Sequence, residues 1–224
     1  IDDTREHYRF RAIYLWICTN IKNDYSLYLK NERRRKRFKN DPHKLNEWNN
    51  QLKKDVYKKL LKSNKTICPG YAFLLKKLSE LANLDCEIVN GYGRTSSTEI
   101  DKLISPNHSW NAIKLNNKWY LCDPTWATGI SYPEQGKFVF NYNDGYFLTE
   151  PKLFFFNHFP IDPEHSLLGI NTPNFNEFID KKKRFFHEEN RSCELVLLGC
   201  SYVLNYAESF NLYNHAPIVH VYVL

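Results

Sequence analysis

Two runs rich in aromatic and aliphatic residues, His108-Ser109-Trp110-Asn111-Ala112-Ile113-Lys114-Leu115 and Lys118-Trp119-Tyr120-Leu121-Cys122-Asp123, stand on either side of Asn116-Asn117. Asparagine tolerates the positive φ angles that a two-residue turn demands, so the segment predicts a β-hairpin. The turn sets its register. With Leu115 opposite Lys118, Trp110 faces Asp123 and His108 faces Thr125. His108 and Asp123 then share one face as diagonal neighbours, about 7–8 Å apart at the backbone, a gap that an imidazole and a carboxylate can bridge. A slip of one residue would send them to opposite faces. A carboxylate in that place fixes the ring's tautomer and stabilises the imidazolium, leaving the other ring nitrogen to take a proton from a thiol.

A thiol with suitable surroundings lies upstream, in Thr66-Ile67-Cys68-Pro69-Gly70-Tyr71-Ala72. Tyr71, Leu74, Leu75, Leu78 and Ala82 recur at i, i+3, i+4, i+7 spacing, which predicts a helix over 68–82 with Pro69 in its first turn and Cys68 near the N-cap. Unpaired N–H groups at a helix start favour an anion, and a neighbouring base strengthens that preference for the thiolate. A buried structural cysteine is the plainer alternative for a lone Cys.

Cysteine, histidine and aspartate in this chain order resemble the transglutaminase-like branch of the papain-type cysteine enzymes. The resemblance rests on Cys68-Pro69-Gly70-Tyr71, Val89-Asn90-Gly91-Tyr92-Gly93, His108-Ser109-Trp110-Asn111 and Asp123-Pro124-Thr125-Trp126. The segments Tyr146-Phe147-Leu148-Thr149-Glu150-Pro151 and His158-Phe159-Pro160-Ile161-Asp162-Pro163 are similar to the stretch of chain after the core in kyphoscoliosis peptidase-like proteins. The same resemblance accounts for a first helix through Arg11-Ala12-Ile13-Tyr14-Leu15-Trp16-Ile17, closed by Asp24-Tyr25, and covers roughly residues 5–178. It implies an α+β papain-like core in which the nucleophile helix packs across an antiparallel sheet. It also implies Cys68 as nucleophile, His108 as general base and then acid, and Asp123 as the group orienting the histidine. The substrate is then a protein amide, a peptide bond or a glutamine carboxamide, attacked through a thioester. A scaffold that keeps the fold with an unused triad, binding cytoskeletal partners, is the alternative from a different class. Trp48 and Gln51 are the upstream candidates by residue type for an oxyanion donor.

Composition limits the rest. Hydrophobic residues at 42% and aromatic ones at 16% suffice for one globular core. Six scattered cysteines without a Cys-x-x-Cys pair predict neither a disulfide framework nor a zinc site, and point to a reducing cytoplasm. No cofactor or metal is expected, and no Asp-x-Asp-x-Asp-Gly calcium loop occurs. No apolar run approaches the roughly 18 residues of a membrane span. The chain holds no methionine, an initiator included, and so reads as a piece of a longer protein.

Residues 30–65 carry fourteen Lys or Arg against four Asp or Glu, a net of +10, while the whole chain is +6. The run around Asn31–Lys39 has few regular apolar positions and reads as a solvated loop or helix end, with nucleic acid, anionic lipid or an acidic protein as alternative partners. Leu45, Trp48, Leu52, Tyr57 and Leu60 predict a helix over 42–62. The resemblance, in which the connection ahead of the cysteine is usually shorter, implies that residues 27–62 are a basic, helical insertion within a core of 1–178, expected to cover part of the cleft. Strands are expected near 86–92, 109–115 and 118–123. Trp110, Trp119 and Trp126 read as hairpin core, Cys122 as pointing away from the site, and His158 as holding a loop by hydrogen bonding. Residues 179–224 are expected to begin a β-rich, sandwich-like appendage.

Overall fold

The computed structural model describes residues 5–95, 98, 105–132 and 135–179. The order is α1 (Arg5–Asn20), β1 (Lys22–Asn23), α2 (Tyr25–Arg37), α3 (Pro42–Ser63), β2 (Lys65–Thr66), α4 (Cys68–Leu81), β3 (Cys86–Gly93), β4 (His108–Leu115) and β5 (Lys118–Cys122). Next come α5 (Pro124–Ala127), β6 (Gly129–Tyr132), β7 (Lys137–Phe140), α6 (Pro151–Phe154) and β8 (His158–Pro160). This is an α+β fold whose main sheet is antiparallel throughout, in the order β5-β4-β3-β8. The appendage expected from residue 179 onward falls, apart from that residue, outside the described residues.

The hairpin has the register read from the turn, running from Leu115 opposite Lys118 to Asn111 opposite Cys122, with Asn116 and Asn117 at φ of 50° and 64°. The ladder then stops one residue early. β5 ends at Cys122, and Asp123 is the N-cap of α5, so Thr125 lies in a helical turn and not opposite His108. Asp followed by Pro is itself a helix-start signal, and it prevails here over continued strand pairing.

The basic run is helical, not a loop. Asp24 opens α2 by accepting from the Leu27 N–H at 3.0 Å, and the side chain also meets Lys59 Nζ at 2.5 Å. It therefore starts the second helix and does not close the first. Lys, Arg, Glu and Leu are good helix formers, and Arg34, Lys36 and Arg37 crowd the last turn where the helix dipole welcomes cations. The apolar content is small but sufficient: Leu27 joins Trp48, Leu52 and Val56 of α3 and Ile67 in a second cluster. Lys30, Arg33, Arg34 and Arg37 line a cleft of about 460 Å³ on the outer side of α2.

The principal core lies between α4 and the sheet. Tyr71 and Leu75 of α4 meet Cys86 and Val89 of β3 and Trp110, Ala112 and Ile113 of β4, while Phe10, Tyr14 and Ile17 of α1 close the cluster. β3 is one of two inner strands, between β4 and β8, and bare backbone lets its neighbours come near. A Cβ on Gly91 would stand 2.1 Å from the Phe159 carbonyl oxygen and 2.5 Å from the Trp110 ring. Among the described residues no helix is long and apolar enough to cross a membrane. Gly91→Ala is expected to cost about 1–3 kcal/mol of stability through this overpacking, read as a lower urea midpoint. An unchanged midpoint would show that β8 and Trp110 do not press on this strand.

Candidate active site

α4 starts at Cys68 because Ile67 is extended (φ −120°, ψ 179°) and Pro69 can only sit in a first turn. Ile67 offers no side-chain cap. Its carbonyl accepts from the Gly70 and Tyr71 N–H groups at 2.8 and 3.2 Å, and Pro69 has no N–H. The Cys68 N–H is thus left without an acceptor among the described residues. Tyr71 Oη donates to the Ile21 carbonyl at 2.8 Å, fixing α4 to the end of α1. On the other side the Asn111 amide donates to the Ala72 carbonyl at 3.0 Å and to the Glu87 carbonyl at 3.1 Å. That residue joins the helix to β4 only three positions beyond His108.

His108 opens β4 and is buried, its ring stacked on Trp126 with centroids 4.8 Å apart. Its Nε2 lies 2.7 Å from Asp123 Oδ2. The other ring nitrogen remains for Cys68, whose side chain neighbours the imidazole. Burial alone would lower the His108 pKa, but the charge and hydrogen bond of Asp123, together with those of Cys68, outweigh it and raise the pKa to about 10. Asp123 is fully buried, which by itself would raise its pKa. The neighbouring histidines, His108 foremost, instead hold the carboxyl far below the usual range. Its Oδ1 also accepts from the Thr125 and Trp126 N–H groups at 2.8 and 3.2 Å.

The structure therefore places Cys68 beside His108 and His108 against Asp123. Cys68 is half-buried, whereas Cys18, Cys86 and Cys122 are buried and free. Burial drives the thiols of Cys18 and Cys122 well up and that of Cys86 to about 12, so none of the three is poised to ionise. Trp48 and Gln51 lie elsewhere. Trp48 belongs to the α2–α3 cluster and donates to Asn31 Oδ1 at 2.9 Å, while Gln51 is exposed and bonds Asp55. Neither reaches an oxyanion at Cys68. The insertion does reach the site's surroundings: Tyr28 of α2 lies near Cys68, and Arg35 donates to Ser105 Oγ and to the Ser105 and Pro106 carbonyls just ahead of His108.

A second histidine joins the site. His158 of β8 is buried, with Nε2 at 3.1 Å from the same Asp123 Oδ2 and Nδ1 at 2.6 Å from Asn157 Oδ1. The sequence alone predicts a loop-holding bond for this ring and does not reveal the carboxylate 35 positions away. The one local sign is a polar ring set among Phe154, Phe155, Phe156 and Phe159. His108, Asp123 and His158 present ligating atoms within 4.8 Å of one another, the spacing of a metal site. Here those same atoms are joined by hydrogen bonds, and we read the three as a hydrogen-bonded unit and not as ligands.

No protein-family model matches the chain. It is 35% identical over 162 residues to the human protein named kyphoscoliosis peptidase, a match covering 71% of this chain and 22% of that protein. It is 30% identical over 98 residues to cytokinesis protein 3 of Schizosaccharomyces pombe, covering 43% of this chain and 11% of the relative. It is 23% identical over 133 residues to the Lim and transglutaminase domain protein ltd-1 of Caenorhabditis elegans, covering 54% and 18%. The chain belongs to the transglutaminase-like family. Within that family it is similar to the kyphoscoliosis peptidases, and it spans about a fifth of their length.

The two histidines bend the pH dependence of stability in opposite senses. His108, with its folded pKa raised, contributes stability that is complete below the unfolded value near 6.5 and is lost as pH rises towards about 10. His158 is held neutral first by burial, with a pKa lowered to about 4, so it opposes folding progressively as pH falls below about 6.5. Asp123 adds stability that is present above about 3.9 and is lost as pH falls through its folded value. Stability should peak near pH 6.5, with each histidine contributing a slope of at most about 1.4 kcal/mol per pH unit. In urea unfolding from pH 5 to 9.5, His108→Gln should flatten the alkaline decline. An identical alkaline slope in that variant would show that His108 carries no raised pKa.

Proposed function

We propose that this chain is a cysteine-dependent acyl-transfer domain that attacks a protein amide through a thioester on Cys68. The observation that carries this reading is His108, buried and bound through Nε2 to an ionised Asp123, with the Cys68 sulfur as its other polar neighbour. The Cys68 thiol gives its proton to His108, and the sulfur attacks the amide carbonyl. The carbonyl oxygen becomes an oxyanion, for which the unpaired Cys68 N–H is the main-chain donor at hand. Collapse of the adduct breaks the C–N bond while His108 returns its proton to the departing nitrogen, leaving the thioester. Water or an amine then attacks the thioester, again giving a proton to His108, and the thiol is regenerated.

Hydrolysis of a peptide bond is the form we favour, supported by the similarity to proteins named as peptidases. The relative named for cytokinesis supports a protein substrate or partner in that setting. Two measurements test the reading. Iodoacetamide at pH 6 should alkylate Cys68 at least tenfold faster than Cys18, Cys86 or Cys122, and equal rates would remove the activated sulfur and leave a binding scaffold in its place. With a denatured protein mixture as substrate, new peptide N-termini should appear without stoichiometric ammonia, and Cys68→Ala should abolish them. Ammonia without new termini would replace hydrolysis of peptide bonds by deamidation or amine transfer.

A further inference from the structure

The Asp123 carboxylate serves two imidazoles through one oxygen, while its other oxygen is occupied by the Thr125 and Trp126 N–H groups. His158 has no path to Cys68 in this arrangement, because both of its ring nitrogens are engaged away from the sulfur. We propose that His158 is a positioning residue for the acyl-transfer site, an imidazole whose Nε2–H bond to Asp123 Oδ2 keeps the carboxylate aimed at His108. The inference rests on the acyl-transfer reading of Cys68 and adds to it the group that holds the triad's third member.

The surroundings of His158 fit a neutral ring held in one orientation. It is fully buried, stacks on Phe154 with centroids 3.9 Å apart, and touches Trp126 and Trp110 at 4.4 and 4.9 Å. Those walls leave a charged ring unsolvated, and burial accordingly lowers the pKa of His158 to about 4 even though the Asp123 charge acts against that shift. Neutral, the ring has a single N–H. A proton on Nε2 meets the carboxylate; Nδ1 faces Asn157 Oδ1, and the ring also meets the Phe154 carbonyl, so this tautomer requires the Asn157 amide to turn its N–H toward Nδ1. The rival arrangement is an imidazolium donating from both nitrogens. Once His108 holds the Cys68 proton, that arrangement would place two cations, His108 and His158, against one buried carboxylate and leave a net charge uncompensated in the core.

The other titratable groups around the carboxylate are Tyr14 and Cys18 of α1, Cys68 and Tyr71 of α4, and Cys122 of β5. Tyr146 meets the His158 ring edge-on. Burial raises the pKa values of Tyr14, Cys18, Tyr71 and Cys122, so these four stay neutral through the acid range. Arg11 and Asp144 pair with each other farther out. Asp123 is thus the negative charge that a donor at position 158 acts upon.

The test compares His158→Phe, which keeps a ring and removes the donor, with His158→Gln, whose amide N–H can stand where Nε2–H stood. Both are made in the full chain. Cys68 alkylation by iodoacetamide is tracked from pH 3 to 8, with folding checked at each pH by circular dichroism. Asp123 stays ionised across this range, so loss of the donor should act on the aim of the carboxylate, lowering the Cys68 rate about tenfold in His158→Phe. His158→Gln should restore the wild-type rate. A fall in rate that is the same for Phe and Gln would assign His158 to packing alone and overturn the proposal. Should the phenylalanine variant not fold, ¹⁵N chemical shifts of the wild-type imidazoles decide: a neutral Nε2–H tautomer of His158 from pH 5.5 to 8 is expected, and an imidazolium or an Nδ1–H tautomer excludes it. If wild-type Cys68 shows no excess reactivity, the acyl-transfer reading falls, and the His158 tautomer still reports on the Asp123 bond by itself.

Discussion

A buried carboxylate with no solvent contact governs this structure. Asp123 is tolerated in the core only because four donors surround it, two main-chain N–H groups and two imidazole nitrogens. Satisfying it shapes the chain on both sides. The two N–H groups come from the turn that Asp123 itself caps, so β5 has to end there. Its own N–H donates to the Tyr146 carbonyl at 3.0 Å, which also accepts from Tyr14 Oη at 2.8 Å, so the same point ties α1 to the segment ahead of α6. Losing any one donor leaves part of a charge uncompensated, a larger cost than losing an ordinary surface bond.

The cleft is assembled by segments that are distant in sequence and held in different ways. The helix bearing Cys68 is located by polar bonds at its flanks, Tyr71 to Ile21 and Asn111 to Ala72, while Leu75 supplies the apolar anchor below. The imidazole of His108 is located by pairing, since its strand has β3 on one side and β5 on the other. Gly93 makes the approach of β3 feasible, because a Cβ there would lie 2.9 Å from His108 Cβ and 3.0 Å from Trp126. Rigid parts on three sides suit a reaction in which a proton moves between sulfur and nitrogen without solvent reorganising around them.

Local chemistry makes some of this visible in the sequence. Asn116-Asn117 set the hairpin register, and Pro69 with the Tyr71, Leu74, Leu75, Leu78 spacing marks the start and buried face of α4. Three features are hidden for separate reasons. α2 buries only Tyr25 and Leu27, both in its first turn, so its periodicity is silent although its composition favours a helix. The end of β5 hangs on a choice between two local signals, strand alternation and an Asp-Pro cap, and the buried hydrogen bonds of Asp123 decide it. The pairing of β8 with β3, Gly91 opposite Pro160 and Gly93 opposite His158, spans some 65 residues and leaves no local trace. The histidine it delivers to Asp123 is for that reason legible only as a loop residue.

The two-residue strands β1 and β2 run parallel, Lys22 beside Lys65 and Asn23 beside Thr66, and the Asp24 N–H reaches the Thr66 carbonyl at 2.7 Å. Everything between them, α2 and α3 together, departs and returns through one stitched neck immediately ahead of Cys68. A domain built this way can lengthen or trim that excursion at little entropic cost to the rest, since loop closure depends only weakly on loop length. The neck thereby leaves the outer surface of the basic arm free to vary, while Arg35 on Ser105 and Pro106 and Leu60 in the main cluster keep its inner side tied to the core.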